Sequence, residues 1–246
     1  MPEISKVITP KYKSNEIVEE AYKVIRANIQ FCELNNKIKT LAITSYMPNE
    51  GKSTVAINLG ICMAKAGMRV LYVDADLRKP AVLKHLVSNL KGLANYLIGH
   101  ANLEKIINTT DIDGFDSITC GTKPVNPSEL LASDRFTVFL SEVEKVYDIV
   151  IIDTPPLGTF IDGAIVATKA SGTIIVVEAN AVKWKNAMMM KEQLQKANAN
   201  ILGVILNKIS KPDYKYYNGS YKYYHKYKNK NTKNKWLIGK KIMKKI

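Results

Sequence analysis

The sequence has few of the features that mark secreted, membrane-spanning or metal-binding proteins. Its three cysteines, Cys32, Cys62 and Cys120, are far apart and form no CxxC pair, so neither a disulfide framework nor a cysteine metal site is indicated. The three histidines share no metal-ligand spacing. No window approaches 18 consecutive apolar residues and the first residues lack an apolar signal core, so we expect a chain that neither crosses a membrane nor enters the secretory route.

Acidic residues are scarce at one end of the chain only. Residues 211–246 hold twelve lysines and one acidic residue, a formal charge of +11 out of +14 for all 246 residues. The same segment has no arginine, and it contains seven of the 13 tyrosines. Because the chain loses its aliphatic residues here, we expect this tail to be disordered. We therefore predict an N-terminal arm (1–14), one domain (15–210) and a tyrosine-rich basic tail (211–246).

The domain alternates short apolar runs with helical patterns. An amphipathic helix is predicted from residue 15 to about 34, a second one up to about 66, a weaker helical region around "GLANYLIG", and further helices at "NPSELL" and "WKNAMMMKEQLQKA". Five apolar runs are predicted strands: "TLAITS" (40–45), "RVLYVDAD" (69–76), "IVII" (149–152), "GTIIVVEA" (172–179) and "ILGVILN" (201–207). Continuous apolar strands between helices predict an α/β fold, a mostly parallel sheet with helices on both faces.

The stretch "TSYMPNEGKST" lies between a predicted strand and helix, where a phosphate-binding loop belongs. Gly51 lets the backbone approach a phosphate, Lys52 supplies a charge for the β- and γ-phosphates, and the Ser53 hydroxyl suits Mg²⁺. The common GxxxxGK[ST] pattern requires glycine where this chain has Tyr46. Asn49 tolerates the left-handed conformation better than most residues, and we expect it to replace the second glycine.

Carboxylates follow two other predicted strands. Asp74 and Asp76 end "VLYVDAD" and lie on one face if the chain is extended, and Asp153 ends "IVIID". Ligands of open parallel sheets bind at the carboxyl ends of the strands. A phosphate loop and three carboxylates at this edge predict a site for a metal-bound nucleoside triphosphate.

The motifs "TSYMPNEGKST", "VLYVDADLR" and "IVIIDTPP" together resemble the Walker A, A′ and B motifs of bacterial tyrosine kinases of the capsular and exopolysaccharide type. The segments "GLANYLIG" and "NPSELL" and the tyrosine cluster also match, so that the resemblance spans residues 5–228. It implies a P-loop fold that uses ATP and Mg²⁺ and phosphorylates its own C-terminal tyrosines between subunits. It further implies a cytoplasmic chain held at the inner face of the membrane by a separate activator protein, with polysaccharide-synthesis enzymes as further substrates.

The resemblance also implies residue roles. Asp74 deprotonates the incoming tyrosine, while Lys52 and Asp76 share the catalytic work; the spacing leaves open which aspartate is base and which is metal ligand. The Mg²⁺ ligands are Ser53, Asp76 and Asp153. The nucleotide contacts are Pro48, Asn49, Glu50, Gly51, Lys52, Ser53, Thr54 and Arg78, with Asn207 and Lys208 as candidates for the adenine.

Two residues near the predicted site, Arg78 and Asp162, each have two possible roles. Arg78 either contacts phosphate or pairs with a carboxylate. Asp162, which follows "PPLGTF", is either a supporting residue of the site or a helix cap, and we favour the cap.

Two surface features complete the resemblance. Glu20, Lys23 and Arg26 form a polar stripe that matches a Glu-x-x-Arg-x-x-Arg ring-assembly motif, except that Lys23 lacks the planar fork of arginine; a solvated helix face is the alternative. The predicted phosphorylation sites are Tyr214, Tyr216, Tyr217, Tyr221, Tyr223, Tyr224 and Tyr227.

Three other functions are compatible with parts of the sequence. Partitioning and cell-division-site ATPases share the loop, but they carry a "KGGxGK" arrangement where this chain has "MPNEGK". Interleaved lysine and tyrosine suit single-stranded nucleic acid, although a tail without arginine and without a groove is a poor platform. The third is a non-catalytic scaffold gated by ATP, and the intact Lys52, Asp74, Asp76 and Asp153 argue against it. Residues 236–246, basic and apolar, suit either anionic lipid or a solubilising end.

Overall fold

The computed structural model describes residues 16–32, 37–79 and 91–210. The N-terminal arm (1–14) and the tail (211–246), with its tyrosines, lie outside the described residues. The chain divides into two units, Met1–Asn207 and Lys208–Ile246, and every helix and strand described below belongs to the first unit. In the described ranges, no helix combines the length and the apolar character that crossing a bilayer requires.

The first unit contains seven strands and seven α-helices in the described ranges. In chain order these are α1 (Glu16–Cys32), β1 (Thr40–Ser45), α2 (Lys52–Ala64), β2 (Val70–Asp74), α3 (Leu93–Leu97), β3 (Ile107–Thr109), β4 (Phe115–Ile118), α4 (Pro127–Ala132), α5 (Asp134–Val146), β5 (Ile149–Asp153), α6 (Asp162–Lys169), β6 (Gly172–Glu178), α7 (Trp184–Lys196) and β7 (Ile201–Asn207). A short 3₁₀ turn, Leu103–Lys105, precedes β3.

The strands form one sheet in the order β3-β4-β2-β5-β1-β6-β7. All neighbours are parallel except β3, which is antiparallel to β4. The α/β prediction is therefore confirmed. Strands β3 and β4 were missed, because they lie in the region predicted to be weakly helical; β4 has the sequence "FDSI", in which polar residues interrupt the apolar run.

The central strands β1, β2 and β5 are buried along their whole length. Successive residues of β2 face opposite sides of the sheet: Leu71 and Val73 join the core under α5, whereas Val70 and Tyr72 join the core under α2. Both faces are thus covered by helices, which explains the unbroken apolar runs. Strand β7 differs from the prediction. It is one of the two edge strands of the sheet and is only partly buried, with Val204 62% exposed.

Candidate functional site

The loop between β1 and α2 has the backbone of a phosphate-binding turn. Asn49 has φ 67° and Gly51 has φ 92°, and α2 begins at Lys52. The predicted left-handed conformation of Asn49 is therefore confirmed. A helix N-terminus carries unpaired amide groups and a partial positive charge, so the loop and the first turn of α2 make a cradle for an anion.

Glu50 and Asn207 brace this loop. The buried carboxylate of Glu50 accepts hydrogen bonds from the backbone amides of Met47 (2.7 Å) and Glu178 (3.3 Å). The side-chain amide of Asn207 donates to the Glu50 carbonyl at 2.9 Å. A Cβ at Gly51 would collide with the same amide group. Glu50 and Asn207 were predicted as nucleotide contacts, and in the structure both fix the shape of the loop.

The remaining loop residues lie at the surface or at the start of α2. Pro48, Asn49 and Thr54 are exposed, and Ser53 is partly buried as the second residue of the helix. The Thr54 carbonyl accepts a hydrogen bond from the Asn58 side chain at 2.8 Å. The exposed residues therefore leave the open side of the turn accessible. Lys208, which follows Asn207, has φ 55°.

Lys52 faces two of the three predicted carboxylates. Its Nζ lies 3.9 Å from Asp153 Oδ1 and 4.0 Å from Asp76 Oδ2. Asp74 and Asp153 are aligned partners in the β2–β5 pairing. All three aspartates are at most 5% exposed. The fold thus brings together the residues that the motifs "GKST", "VDAD" and "IIDTPP" contribute.

Asp153 is the most deeply buried of the three aspartates. Burial raises the pKa of its carboxyl group, whereas Lys52 and, less strongly, the Ser53 hydroxyl lower it. The Tyr72 hydroxyl donates a hydrogen bond to Asp153 Oδ2 at 3.1 Å. Burial and the neighbouring Asp153 hold the pKa of Tyr72 well above its usual range, so the phenol remains a donor. Sequence reasoning missed Tyr72, because in an apolar run it has the appearance of a core residue.

One buried oxygen of Asp153 indicates whether the site suits a metal ion. No donor in the described part of the chain completes a hydrogen bond to Asp153 Oδ1, which is otherwise costly for a buried carboxylate. Oxygen atoms of carboxylates and a serine hydroxyl are the ligands that Mg²⁺ prefers beside a nucleotide. The residues present therefore fit a Mg²⁺-nucleotide.

The loop after β2 holds its own carboxylates in place. The backbone amide of Asp76 donates to Asp74 Oδ1 at 3.1 Å. The amides of Arg78 and Lys79 donate to Asp76 Oδ1 at 3.2 and 2.8 Å. These bonds occupy one oxygen of Asp76 and leave Oδ2 on the side of Lys52.

Arg78 pairs with a carboxylate, which was one of its two predicted interpretations. Its Nε and Nη2 donate to Asp162 at 2.6 and 3.1 Å. The preferred prediction for Asp162, a helix cap, is wrong. The N-cap of α6 is Ile161, and Asp162 is the first residue of the helix, with a fully buried carboxylate that binds Arg78 and Ser128.

The predicted oligomer stripe on α1 is partly engaged within the chain. Arg26 donates to the carbonyl of Cys62 in α2 at 3.2 Å, while Lys23 and Glu20 form an exposed ion pair at 2.6 Å. Arg26 therefore helps to hold α1 against α2.

Comparison with known proteins identifies the family. Residues 38–208 match a family model described as an AAA domain. The tyrosine-protein kinase CpsD of Streptococcus agalactiae is 37% identical over 206 residues, which cover 83% of this chain and 88% of the relative.

Among solved structures, tyrosine kinase domains resemble this chain more closely than cell-division ATPases do. The kinase domain of Escherichia coli tyrosine kinase ETK has a TM-score of 0.75 at 36% identity and covers 78% of this chain and 76% of its own. The septum site-determining protein MinD of Pyrococcus horikoshii, complexed with Mg-ADP, has a TM-score of 0.59 at 26% identity and covers 70% and 72%. The relation to MinD is the more distant one, and this chain belongs to the bacterial tyrosine kinase family of the capsular and exopolysaccharide type.

Proposed function

We propose that this tyrosine kinase transfers the γ-phosphoryl group of ATP, with Mg²⁺, to the tyrosines of its own C-terminal tail. The observation that carries the proposal is the convergence of Lys52 on two buried carboxylates, Asp76 and Asp153, beside a phosphate-binding turn. Phosphoryl transfer depends on alignment and on neutralising charge. The turn and Lys52 supply alignment and one positive charge, and the two carboxylates would hold the Mg²⁺ that supplies the rest.

The nucleotide is held by the turn and by the start of α2. Backbone amides between Asn49 and Thr54 surround the phosphates, and Lys52 neutralises the charge that builds up between the β- and γ-phosphates. Ser53, Asp76 and Asp153 would hold Mg²⁺, which would supply further neutralisation of the charge on the phosphate oxygens. The bond between Glu50 and Asn207 keeps the turn in this shape.

Asp74 is the proposed acceptor for the phenolic proton. In the transfer, the tyrosine oxygen forms a bond to the γ-phosphorus, the bond from that phosphorus to the bridging oxygen of ADP breaks, and the proton passes to the Asp74 carboxylate. The loop amide of Asp76 donates to Asp74 Oδ1 and so fixes the orientation of this carboxylate.

The tail is the proposed acceptor segment, and a neighbouring subunit in a ring supplies the active site. The formal charge of +11 in residues 211–246 steers the tail toward a site rich in carboxylates and phosphates. Each phosphate adds about −1.5 to −2 charges, which weakens this attraction and favours product release and ring opening. A membrane-bound activator is the proposed partner, and control of surface polysaccharide synthesis or export is the proposed output.

The test uses the purified full chain, Mg-ATP and the cytoplasmic segment of the activator, with phosphotyrosine located by mass spectrometry. We expect phosphate on the tail of the wild-type chain and almost none on Lys52→Met. Lys65→Met is the matched control, because Lys65 lies exposed just beyond the other end of α2. It should retain the wild-type rate.

Two outcomes would contradict the proposal. One is a wild-type tail without phosphate, or equal phosphate on Lys52→Met. The other is ATP hydrolysis stimulated by DNA or lipid vesicles without phosphotyrosine, which would favour a partitioning-type ATPase.

A further inference from the structure

Three residues from separate segments form a closed polar triad, Arg78–Asp162–Ser128. Arg78 donates to both oxygens of Asp162 at 2.6 and 3.1 Å. The Ser128 hydroxyl donates to Asp162 Oδ1 at 2.6 Å and lies 2.8 Å from Arg78 Nη2, from which it accepts. Each member of the triad therefore contacts the other two.

The triad joins three parts of the chain that surround the carboxyl edge of the sheet. Arg78 belongs to the loop after β2, Ser128 lies in the first turn of α4, and Asp162 begins α6. The Asp162 side chain is 0% exposed, and that of Arg78 is 29% exposed. The Arg78 guanidinium also lies over the ring of Phe160, 4.3 Å from its centre. Side-chain bonds, a stacking contact and burial together fix the position of Arg78.

The position of Arg78 determines the orientation of Asp76. The backbone amide of Arg78 donates to Asp76 Oδ1, as does the next amide, that of Lys79. With Oδ1 held in this way, Asp76 Oδ2 lies 4.0 Å from Lys52 Nζ. A planar bidentate pair transmits orientation better than a point charge does, so the fork between Arg78 and Asp162 fixes the loop that carries Asp76.

We propose that Asp162 and Ser128 are positioning residues for the phosphoryl transfer, acting through Arg78 to hold the Asp76 carboxylate toward the metal and Lys52. The proposal rests on the proposed function, in which Asp76 is a Mg²⁺ ligand. Partners that orient a ligand affect metal affinity by about 10- to 100-fold when they are removed.

The variants separate geometry from charge. Arg78→Lys keeps the positive charge and removes the fork, Ser128→Ala removes one hydrogen bond, and Asp162→Asn removes the negative charge. The matched control is Arg69→Lys, because Arg69 also pairs with an aspartate, Asp148, at 3.1 Å. That pair lies at the opposite end of the central strands, where β2 and β5 begin.

The measurement is the affinity for ADP by titration calorimetry, with and without Mg²⁺, together with the thermal unfolding midpoint. For a folded Arg78→Lys chain we expect an ADP affinity without Mg²⁺ within about twofold of wild type and a Mg²⁺-dependent gain smaller by about tenfold. Ser128→Ala should show a smaller effect in the same direction, and Arg69→Lys none. If Asp162→Asn does not fold, the other two variants carry the test.

Two results overturn the proposal by itself. One is an unchanged Mg²⁺-dependent gain in folded Arg78→Lys and Ser128→Ala. The other is an equal loss of ADP affinity with and without Mg²⁺, which indicates general damage to the site. A wild-type chain whose ADP affinity does not respond to Mg²⁺ overturns the metal role of Asp76 under the proposed function, and this proposal with it.

Discussion

Aspartates lie at both ends of the paired strands β2 and β5, Asp148 just before they begin and Asp74 and Asp153 where they end, and the two ends differ in burial. Before the strands begin, Asp148 pairs with Arg69 at 3.1 Å, and both side chains are exposed, by 41% and 62%. Where the strands end, Asp74 and Asp153 are aligned, and both are buried. An exposed ion pair therefore precedes the two strands, and a concentration of buried carboxylates ends them.

The difference in burial between the two ends indicates that one end has a structural role and the other a functional role. An exposed ion pair contributes little to stability, and it needs no other partner. Buried carboxylates are costly unless they are paired, yet Asp76 and Asp153 share the single ammonium group of Lys52 at about 4 Å. Strongly perturbed ionisable groups in one place favour a functional site. The carboxyl edge is therefore organised for a ligand at the expense of stability.

The largest expected effect comes from replacing, one at a time, Asp153 at the end of β5 and Asp148 just before its start. Asp153→Asn should lower the rate of tail phosphorylation by about 100-fold, because the site loses a charged ligand for the Mg²⁺ that neutralises the phosphates. Asp148→Asn, the matched change at the other end of the strand, should leave the rate within about twofold, as for other exposed ion pairs. Phosphotyrosine formation over time measures both rates. Equal effects of the two changes would show that the two ends of the strands do not differ in function.

A second contrast concerns two glycines with left-handed backbones, one at each end of α2. Gly51 has φ 92° and close contact with Asn207, whereas Gly67 has φ 90° and open space around it. Alanine costs about 1–3 kcal/mol of backbone strain at either position, so both variants should unfold at lower temperature. Only Gly51→Ala should also lower ADP affinity, by about tenfold, since its Cβ displaces the brace of the phosphate loop. Unchanged ADP binding by folded Gly51→Ala would contradict this.

A third contrast uses two tyrosine–aspartate hydrogen bonds, one buried and one partly buried. Tyr72 donates to Asp153 at 3.1 Å, and Tyr147 donates to Asp116 at 2.8 Å near the start of β5. Each change to phenylalanine leaves a carboxylate with one donor fewer, which costs about 1–3 kcal/mol at the buried Asp153 and less at the partly buried Asp116. Both changes therefore lower the unfolding midpoint. Tyr72→Phe should in addition lower the phosphorylation rate by about tenfold, because it orients a metal ligand. A similar rate for the two variants would assign Tyr72 to the core alone.

The smallest effect concerns acid stability at the exposed edge. Hydrogen bonds from Arg69 lower the pKa of Asp148, so its contribution to stability is complete above the unfolded pKa of about 3.9 and is lost as the pH falls through the folded value. The unfolding midpoint of wild type should exceed that of Asp148→Asn by about 2 °C or less near pH 6, and the difference should shrink progressively as the pH falls below about 3.9. High salt should reduce it as well. A difference that grows on acidification would contradict the assignment.

The sequence predicted the parts of the fold that depend on local pattern. The run "TLAITS" became β1 with the predicted bounds, because a strand covered on both faces requires continuous apolar residues. Asn49 was identified as the left-handed residue because few side chains tolerate that backbone. The three aspartates were placed together because the carboxyl ends of parallel strands share one edge.

What the sequence did not predict depends on contacts between distant segments. Asp162 has the sequence context of a helix cap, and only the fold shows that Arg78 and Ser128 surround it. Tyr72 has the pattern of a core residue until β5 places Asp153 beside its hydroxyl. Strand β4 was missed since Asp116 and Ser117 interrupt its apolar pattern, and Asp116 is there held by Tyr147.

The bond from Asn207 to Glu50 has a consequence for the synthesis of the chain. Its two residues are 157 positions apart, and at about 5–20 residues per second the ribosome needs roughly 8–30 s to add the second after the first. A nascent chain that ends before β7 has the complete phosphate-loop sequence but lacks Asn207, which braces the loop. The last brace of the nucleotide site therefore forms only after almost the entire first unit has been made, and the tail follows it from the ribosome.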